Sequence, residues 1–134
     1  MAKVAWISRH PPLPSQIKAL KEKLGEDTEV IQISRTFASA QEVLAEIKKI
    51  GATHAVVVLP LSMVAQLVQD KSITWLFAEM EAIAQTKSID EAKRLVNEAP
   101  DKRTMTTYAD GTVRVFQFKQ FKRIVKVELV TEPW

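Results

Sequence analysis

Arginine, serine and histidine side chains occur in this sequence where apolar runs end. Ser8-Arg9-His10 follows one apolar run, and Ser34-Arg35 follows the next. Arginine presents a planar fork of N–H donors that fits phosphate oxygens, and serine hydroxyls add neutral donors. A histidine beside them can exchange a proton near neutral pH. These residue types therefore predict a site that binds a phosphate group and transfers a proton.

Two further segments follow apolar runs in the same way. Pro60-Leu61-Ser62 comes after the run Ala55-Val56-Val57-Val58-Leu59, and Glu79 and Glu81 come after a fourth run. In open parallel sheets, ligands bind beyond the carboxyl ends of the strands, where the crossovers diverge. We therefore expect these polar segments to lie together at one edge of a sheet.

Each of these residues also has a simpler explanation. Arg9 is equally interpreted as a surface arginine that pairs with Glu79 or Glu81. His10 precedes two prolines and fits a rigid turn without chemistry. The serines Ser34 and Ser62 fit turn and helix-capping roles, with capping favoured for Ser62. The joint occurrence of these residues raises the functional interpretation to equal standing with the simpler ones.

The first 80 residues alternate strand and helix patterns. Short apolar runs predict strands, and apolar residues spaced three and four apart predict helices. The expected strands cover residues 4–8, 29–34, 54–59 and 73–77, and the expected helices cover residues 15–24, 39–50 and 62–69. Ser39 with Glu42 forms a capping box that opens the second of these helices. Consecutive strand–helix units predict an α/β fold, a three-layer Rossmann-like, mainly parallel sheet. No G-x-G-x-x-G occurs, so nothing indicates a dinucleotide site.

The pattern changes after residue 81. Ser88 with Glu91 forms a capping box that predicts a helix over residues 89–98, and Asp110-Gly111 predicts a hairpin turn. We expect a polar loop over 100–104 and alternating strands that continue through 124–130. The sequence thus predicts one domain over residues 1–134, in which a parallel core (1–81) carries an antiparallel extension (82–134).

Composition narrows the classes of function. The 134 residues include no cysteine, so disulfides and thiolate metal sites are excluded. His10 and His54 are the two histidines, and they do not make a metal site. No apolar run approaches the roughly 20 residues of a membrane span, and no secretory leader pattern opens the chain. We therefore expect a cytoplasmic protein with no metal.

The net charge of +3 favours an anionic partner only weakly. Basic residues are dispersed, apart from Lys119, Lys122, Arg123 and Lys126, so duplex nucleic acid is not the expected partner. Phe116, Phe118 and Phe121 are interleaved with Lys119, Lys122 and Arg123, as in surfaces that stack single-stranded nucleic acid, although core packing explains the aromatic residues better. We expect Trp6 and Trp75 in the core and Trp134 at an edge or a subunit interface.

The motifs resemble those of the small CRISPR-associated proteins of the CARF type. The resemblance rests on Trp6-Ile7-Ser8-Arg9-His10-Pro11, on Leu59-Pro60-Leu61 and on the following Val64-Ala65. It covers residues 4–11 and 55–66 and the order of strands between them. Residues 82–134 exceed the length of the smallest members. The family has a compact Rossmann-like fold, is generally dimeric and belongs to type III CRISPR systems, where CARF domains bind cyclic oligoadenylate.

The resemblance implies a ring nuclease that linearises cyclic tetra-adenylate without a cofactor. It would assign Arg9 and His10 to catalysis, with ligand contacts from Ser8, Ser34, Arg35, Pro60, Leu61 and Ser62. A homodimer would place two such sites around one ring of near two-fold symmetry. Two other hypotheses remain: a sensor that binds the nucleotide without cutting it, and an interaction protein whose late strands pair with a partner.

Overall fold

The computed structural model describes residues 1–134 as an α/β fold with one mixed sheet of six strands and four helices. The strands are β1 (Lys3–Ile7), β2 (Glu29–Ile33), β3 (His54–Val57), β4 (Thr74–Thr86), β5 (Arg103–Thr107) and β6 (Val113–Arg123). The helices are α1 (Pro14–Leu24), α2 (Ala40–Lys49), α3 (Leu61–Leu67) and α4 (Ile89–Glu98). The alternation predicted for the first 80 residues is confirmed.

Strand β1 lies inside the parallel part of the sheet. The strand order is β2-β1-β3-β4-β6-β5, and β1 pairs in parallel with both β2 and β3. Its side chains are buried on both faces: Val4 and Trp6 pack in the cluster that contains Leu20 of α1. Ala5 and Ile7 pack in the cluster formed with α2 and α3. The first crossover leads from β1 to one side and the second returns to the other side, so the crossovers diverge at the carboxyl end of β1.

Strand β4 is much longer than expected. It pairs in parallel with β3 only over Thr74–Leu76 and continues antiparallel to β6 as far as Thr86. The predicted boundary between residues 81 and 82 therefore falls inside this strand. Glu79 and Glu81 lie in its interior, so their predicted place at a strand end is wrong.

Glu79 has basic partners on β6. Its carboxylate lies 3.6 Å from Nζ of Lys119 and also pairs with Lys122. The hydrogen bond from Lys122 lowers the pKa of Glu79. The suggested pairing of Arg9 with Glu79 or Glu81 is therefore wrong, because Arg9 bonds to Thr36 instead.

The antiparallel extension has its own small core. Ala92 of α4 packs against Val113 and Val115 of β6. The predicted hairpin is confirmed between β5 and β6, where Asp110 accepts a hydrogen bond from the amide of Thr112 and Gly111 adopts φ = 85°. The polar loop expected over residues 100–104 ends earlier than predicted, because β5 begins at Arg103.

The predicted strand over residues 124–130 is wrong. Strand β6 ends at Arg123, and the amide of Ile124 makes one last ladder-like bond to the carbonyl of Trp75. Arg123 already pairs with Leu76, near the beginning of β4. The alternating residues that follow therefore have no neighbouring strand in this chain to pair with.

Two of the three predicted serine caps are confirmed. Ser39 accepts a hydrogen bond from the amide of Glu42, and Ser88 accepts one from the amide of Glu91, each at 3.2 Å. The cap at Ser62 is wrong: α3 begins at Leu61 after Pro60, and Ser62 lies inside the first turn. The helix begins earlier because the carbonyl of Pro60 already accepts from Met63 and Val64.

No helix combines the length and the apolar character that crossing a membrane requires.

Trp6 and Trp75 are buried as predicted, whereas Trp134 is fully exposed.

The difference between the serines is testable. Ser39→Ala and Ser88→Ala each remove a cap and are expected to lower the free energy of unfolding by about 1 kcal/mol. Ser62→Ala removes no capping bond and is the matched control, expected to stay within about 0.5 kcal/mol of the original protein. Urea denaturation followed by circular dichroism measures all three. A loss at Ser62 equal to that at Ser39 would contradict the assignment.

Candidate functional site: two cavities at the carboxyl end of the sheet

Ser8 lies between two cavities where β1 and β3 end. Both cavities also share Val58 and Leu59, which follow β3. Their position is the point at which the crossovers diverge, where parallel sheets bind ligands. The predicted location of the site thus coincides with concave surface.

The smaller cavity has a volume of about 220 Å³ and carries two arginines. Arg9 enters from the end of β1 and Arg35 from the end of β2, while Pro60 closes the side next to β3. Because no acidic residue lines this cavity, the two guanidinium groups make it a cationic depression. Its size suits one phosphate group rather than a whole nucleotide.

Arg9 is oriented by hydrogen bonds between β1 and β2. Its Nη2 atom donates to Oγ1 of Thr36 over 2.9 Å. The side-chain amide of Gln32 donates to the backbone carbonyls of Ser8 and Arg9 over 3.2 and 3.4 Å. These bonds tie the end of β1 to the segment that follows β2, so Arg9 faces the same cavity as Arg35.

Arg35 is held by one aromatic and one acidic neighbour. Its guanidinium carbon lies 4.3 Å from the ring centre of Phe37, within cation–π distance. Its Nη2 atom lies 3.6 Å from the carboxylate of Glu46 on α2. Because the Arg35 side chain is about half exposed, this pair adds little to stability, but it offsets part of the positive charge offered to an anion.

The larger cavity is mostly apolar. It has a volume of about 560 Å³, and 13 of its 19 lining residues are hydrophobic. Its walls come from the end of the parallel core (Trp6, Val57, Leu61) and from β4 and β5 (Met80, Met105). An apolar cavity of this size with a few polar groups is typical of a small-molecule site.

His10 lies at this larger cavity and within a tightly bonded turn. The indole Nε1 of buried Trp6 donates to the backbone carbonyl of His10 over 2.8 Å. The amide of His10 donates to Oγ of Ser8 over 3.2 Å. The imidazole is exposed. The structure therefore confirms the expected turn and places an accessible imidazole at its tip.

The predicted site residues divide into three groups. Ser8, Arg9, Arg35 and Pro60 line the smaller cavity, and Ser8, His10 and Leu61 line the larger one. Ser34 and Ser62 are exposed and line neither. The two residues predicted to act together in catalysis, Arg9 and His10, thus face different cavities.

Several lining or supporting residues carried no sequence prediction. Phe37 stands two residues after Arg35, and this spacing could have suggested a stacked pair. Gln32 and Glu46 support the arginines but resemble ordinary surface residues in the sequence. The contribution of β5 to the larger cavity depends on the antiparallel extension and has no local signal.

The remaining candidates lie elsewhere. His54 begins β3, at the opposite end of the strand from the cavities, and burial lowers its pKa. Of the phenylalanines of β6, Phe121 packs against the cluster of Val4 and Trp6, and its ring meets Trp6 edge-on at 6.1 Å and lies 4.9 Å from the ring of Phe118. No group of three or more histidine or acidic side chains is close enough to hold a metal ion.

Comparison with known proteins gives no match: no family model, no curated protein and no solved structure is significantly similar to this chain.

Neutralising Glu46 should strengthen anion binding at the smaller cavity. Glu46→Gln leaves Arg35 stacked on Phe37 but removes the opposing carboxylate, so we expect the dissociation constant for inorganic pyrophosphate to fall about three-fold. Isothermal titration at low salt measures it, because salt screens exposed charges. Glu22→Gln on α1, also half of an exposed ion pair, is the control. An equal gain in both variants would indicate a general charge effect.

Proposed function

We propose that this chain is a Rossmann-like, CARF-like CRISPR-associated protein that binds cyclic oligoadenylate in the cytoplasm and linearises it as a ring nuclease. One observation carries the proposal: Arg9 and Arg35 converge on a cavity at the switch point of the sheet, and the cavity shares its Ser8 wall with a large apolar one. The combination suits a ligand with alternating phosphates and flat bases.

The two cavities suit different parts of a nucleotide. A phosphate placed between the guanidinium groups of Arg9 and Arg35 would accept paired hydrogen bonds from both. An adenine base on the other side of Ser8 would rest against the apolar walls of the larger cavity. A cyclic oligoadenylate repeats this pair of groups around its ring, so two copies of the chain could bind one ring through equivalent sites.

The proposed cleavage uses the ligand's own ribose. The 2′-oxygen attacks the adjacent phosphorus in line, and the bond from phosphorus to the 5′-oxygen breaks. The products are a 2′,3′-cyclic phosphate and a 5′-hydroxyl. The proton lost from the 2′-hydroxyl passes to solvent, and His10 is assigned to protonate the departing 5′-oxygen. Arg9 and Arg35 would stabilise the charge that builds up on the non-bridging oxygens.

A second candidate function is binding without cleavage. The observation that favours it is the separation of Arg9 and His10 into different cavities. General acid catalysis requires the acid within hydrogen-bond reach of the leaving oxygen. A phosphate bound by both arginines, with the imidazole facing the other cavity, would be recognised but not cut. The chain would then act as a nucleotide sensor.

Incubation with cyclic tetra-adenylate in EDTA, followed by chromatography, tests the first function. We expect linear product from the original protein, an about 100-fold slower reaction for Arg9→Ala or Arg35→Ala, and a similar loss for His10→Ala. Arg94→Ala removes an exposed arginine on α4 that lines neither cavity, and it is expected to keep full activity.

The outcomes separate the hypotheses. Thermal stabilisation by the nucleotide without product supports the sensor. Full cleavage by His10→Ala would show that His10 is not the acid. Neither binding nor cleavage would contradict both functions and leave the interaction-protein interpretation.

A further inference from the structure

Residues 124–134, here called the terminal segment, leave the sheet after Ile124, whose amide still bonds to the carbonyl of Trp75. No hydrogen bond joins two backbone groups at residues 125–134, although Nζ of Lys71 donates to the carbonyl of Val125 over 3.3 Å. Large apolar side chains along the segment face solvent: Val125 is 67%, Leu129 88% and Val130 86% exposed. An exposed apolar stretch with free backbone donors and acceptors is typical of a surface that another strand covers.

The order of residues in the terminal segment is self-complementary about Val127. Reading outward from Val127 in both directions, Lys126 corresponds to Glu128, Val125 to Leu129, and Ile124 to Val130. Each pair therefore joins opposite charges or two apolar side chains. A strand with this property can pair antiparallel with an identical strand, because directly opposite residues then attract or pack.

We propose that the terminal segment forms an antiparallel two-stranded ribbon with the same segment of a second copy, with the two-fold axis at Val127. Lys126 of each copy then lies opposite Glu128 of the other. The proposal concerns assembly and does not depend on the proposed nucleotide chemistry.

The side chains already have the alternation that such a ribbon needs. Nζ of Lys126 lies 3.0 Å from the carboxylate of Glu128, so the two charged groups are on one face. Residues two apart in an extended chain share a face, which places Val125, Val127 and Leu129 on the other. Val127 packs against the main core. The ribbon would therefore add Val125 and Leu129 beside Val127 and keep Lys126 and Glu128 in water. Ile124 shares the face of the charged pair, but it still bonds to Trp75 and also packs against the core.

A second copy is the occupant that charge complementarity selects. Within this chain, β4 has no residues left to pair with the segment. The amide of Ile124 bonds to the carbonyl of Trp75, and β4 begins at Thr74, one residue before Trp75. An unrelated partner would need to present the reverse charge order, whereas an identical chain presents it automatically. A short ribbon alone is marginal in water, but here each strand continues from β6 and is anchored by a sheet.

The proposed contact also reaches the candidate site. Ile124 and Val127 line the larger cavity. Pairing at Val127 would thus bring the corresponding wall of each copy's cavity to the subunit interface.

Charge reversal combined with mixing tests the register. Analytical ultracentrifugation of the full chain should show a dimer. Lys126→Glu alone and Glu128→Lys alone each place like charges opposite one another twice per dimer, and the dimer dissociation constant should rise about tenfold. A mixture of the two variants should dimerise as well as the original protein, because one copy then carries two acidic groups and the other two basic groups.

The mixing step distinguishes contacts between chains from those within one chain. Each variant alone has like charges at positions 126 and 128 of the same chain, so restored internal pairing cannot explain a recovered dimer. Equal dimerisation of every variant would overturn the proposed interface. A monomeric original protein at about 100 µM would overturn the proposal and assign the segment to a different partner.

A cysteine on the axis gives an independent measurement. The chain has no cysteine, so Val127→Cys introduces a single thiol per copy. Directly opposite residues in an antiparallel pair are about 4.5–5.5 Å apart at Cα, within disulfide range. Mild oxidation should convert most of this variant to a covalent dimer, while Lys18→Cys, at an exposed position of α1, should remain largely monomeric. Equal cross-linking of both would contradict the two-fold axis at Val127.

Discussion

Helix α1 covers one face of β1 and helices α2 and α3 cover the other, so the strand leaves no room for polar side chains over Val4–Ile7. Its edges are also occupied, by β2 on one side and β3 on the other. The next polar residues, Ser8, Arg9 and His10, can therefore emerge only where the strand ends. There the crossovers separate, and the backbone no longer fills the space between the helices. Double burial of β1 thus determines where the candidate site lies.

The two cavities at this position differ in chemistry although one serine separates them. The bonded turn that follows β1 directs the neighbours Arg9 and His10 into different cavities. Arg9 lines the smaller cavity with Arg35. His10, whose backbone carbonyl accepts a hydrogen bond from Trp6, lines the larger apolar cavity. A ligand that fills both cavities must be amphiphilic, with an anionic group and a flat apolar group joined by a short linker. That requirement is stricter than the anion site expected from the residue types alone.

Local signals in the sequence predicted the parallel core and the two serine caps that the structure confirms. Ser39 and Ser88 were recognisable because a glutamate stands three residues after each, and Trp6 and Trp75 because they lie in apolar runs. The convergence of Arg9 and Arg35 followed from the order of strands. Long-range pairing accounts for the errors. Strand β4 exceeds its expected length because β6, about 40 residues later, pairs along it with two bulges. Residues 124–130 have a strand pattern but no partner strand within the chain. Ser62 does not cap α3, because Pro60 already occupies the N-cap position.

Strand β4 gives the fold a property of a different kind. Its first residues complete the parallel sheet beside β3, and its later residues form the ladder on which β6, β5 and α4 depend. A domain boundary normally falls in a linker that few contacts cross, but here the chain passes between the halves through β4, which pairs with β6 on both sides of residue 81. Cutting or recombining the chain near residue 81 would divide that ladder rather than release a module. Exchanging one half for that of another protein would therefore need a matching β4 on both sides of the joint.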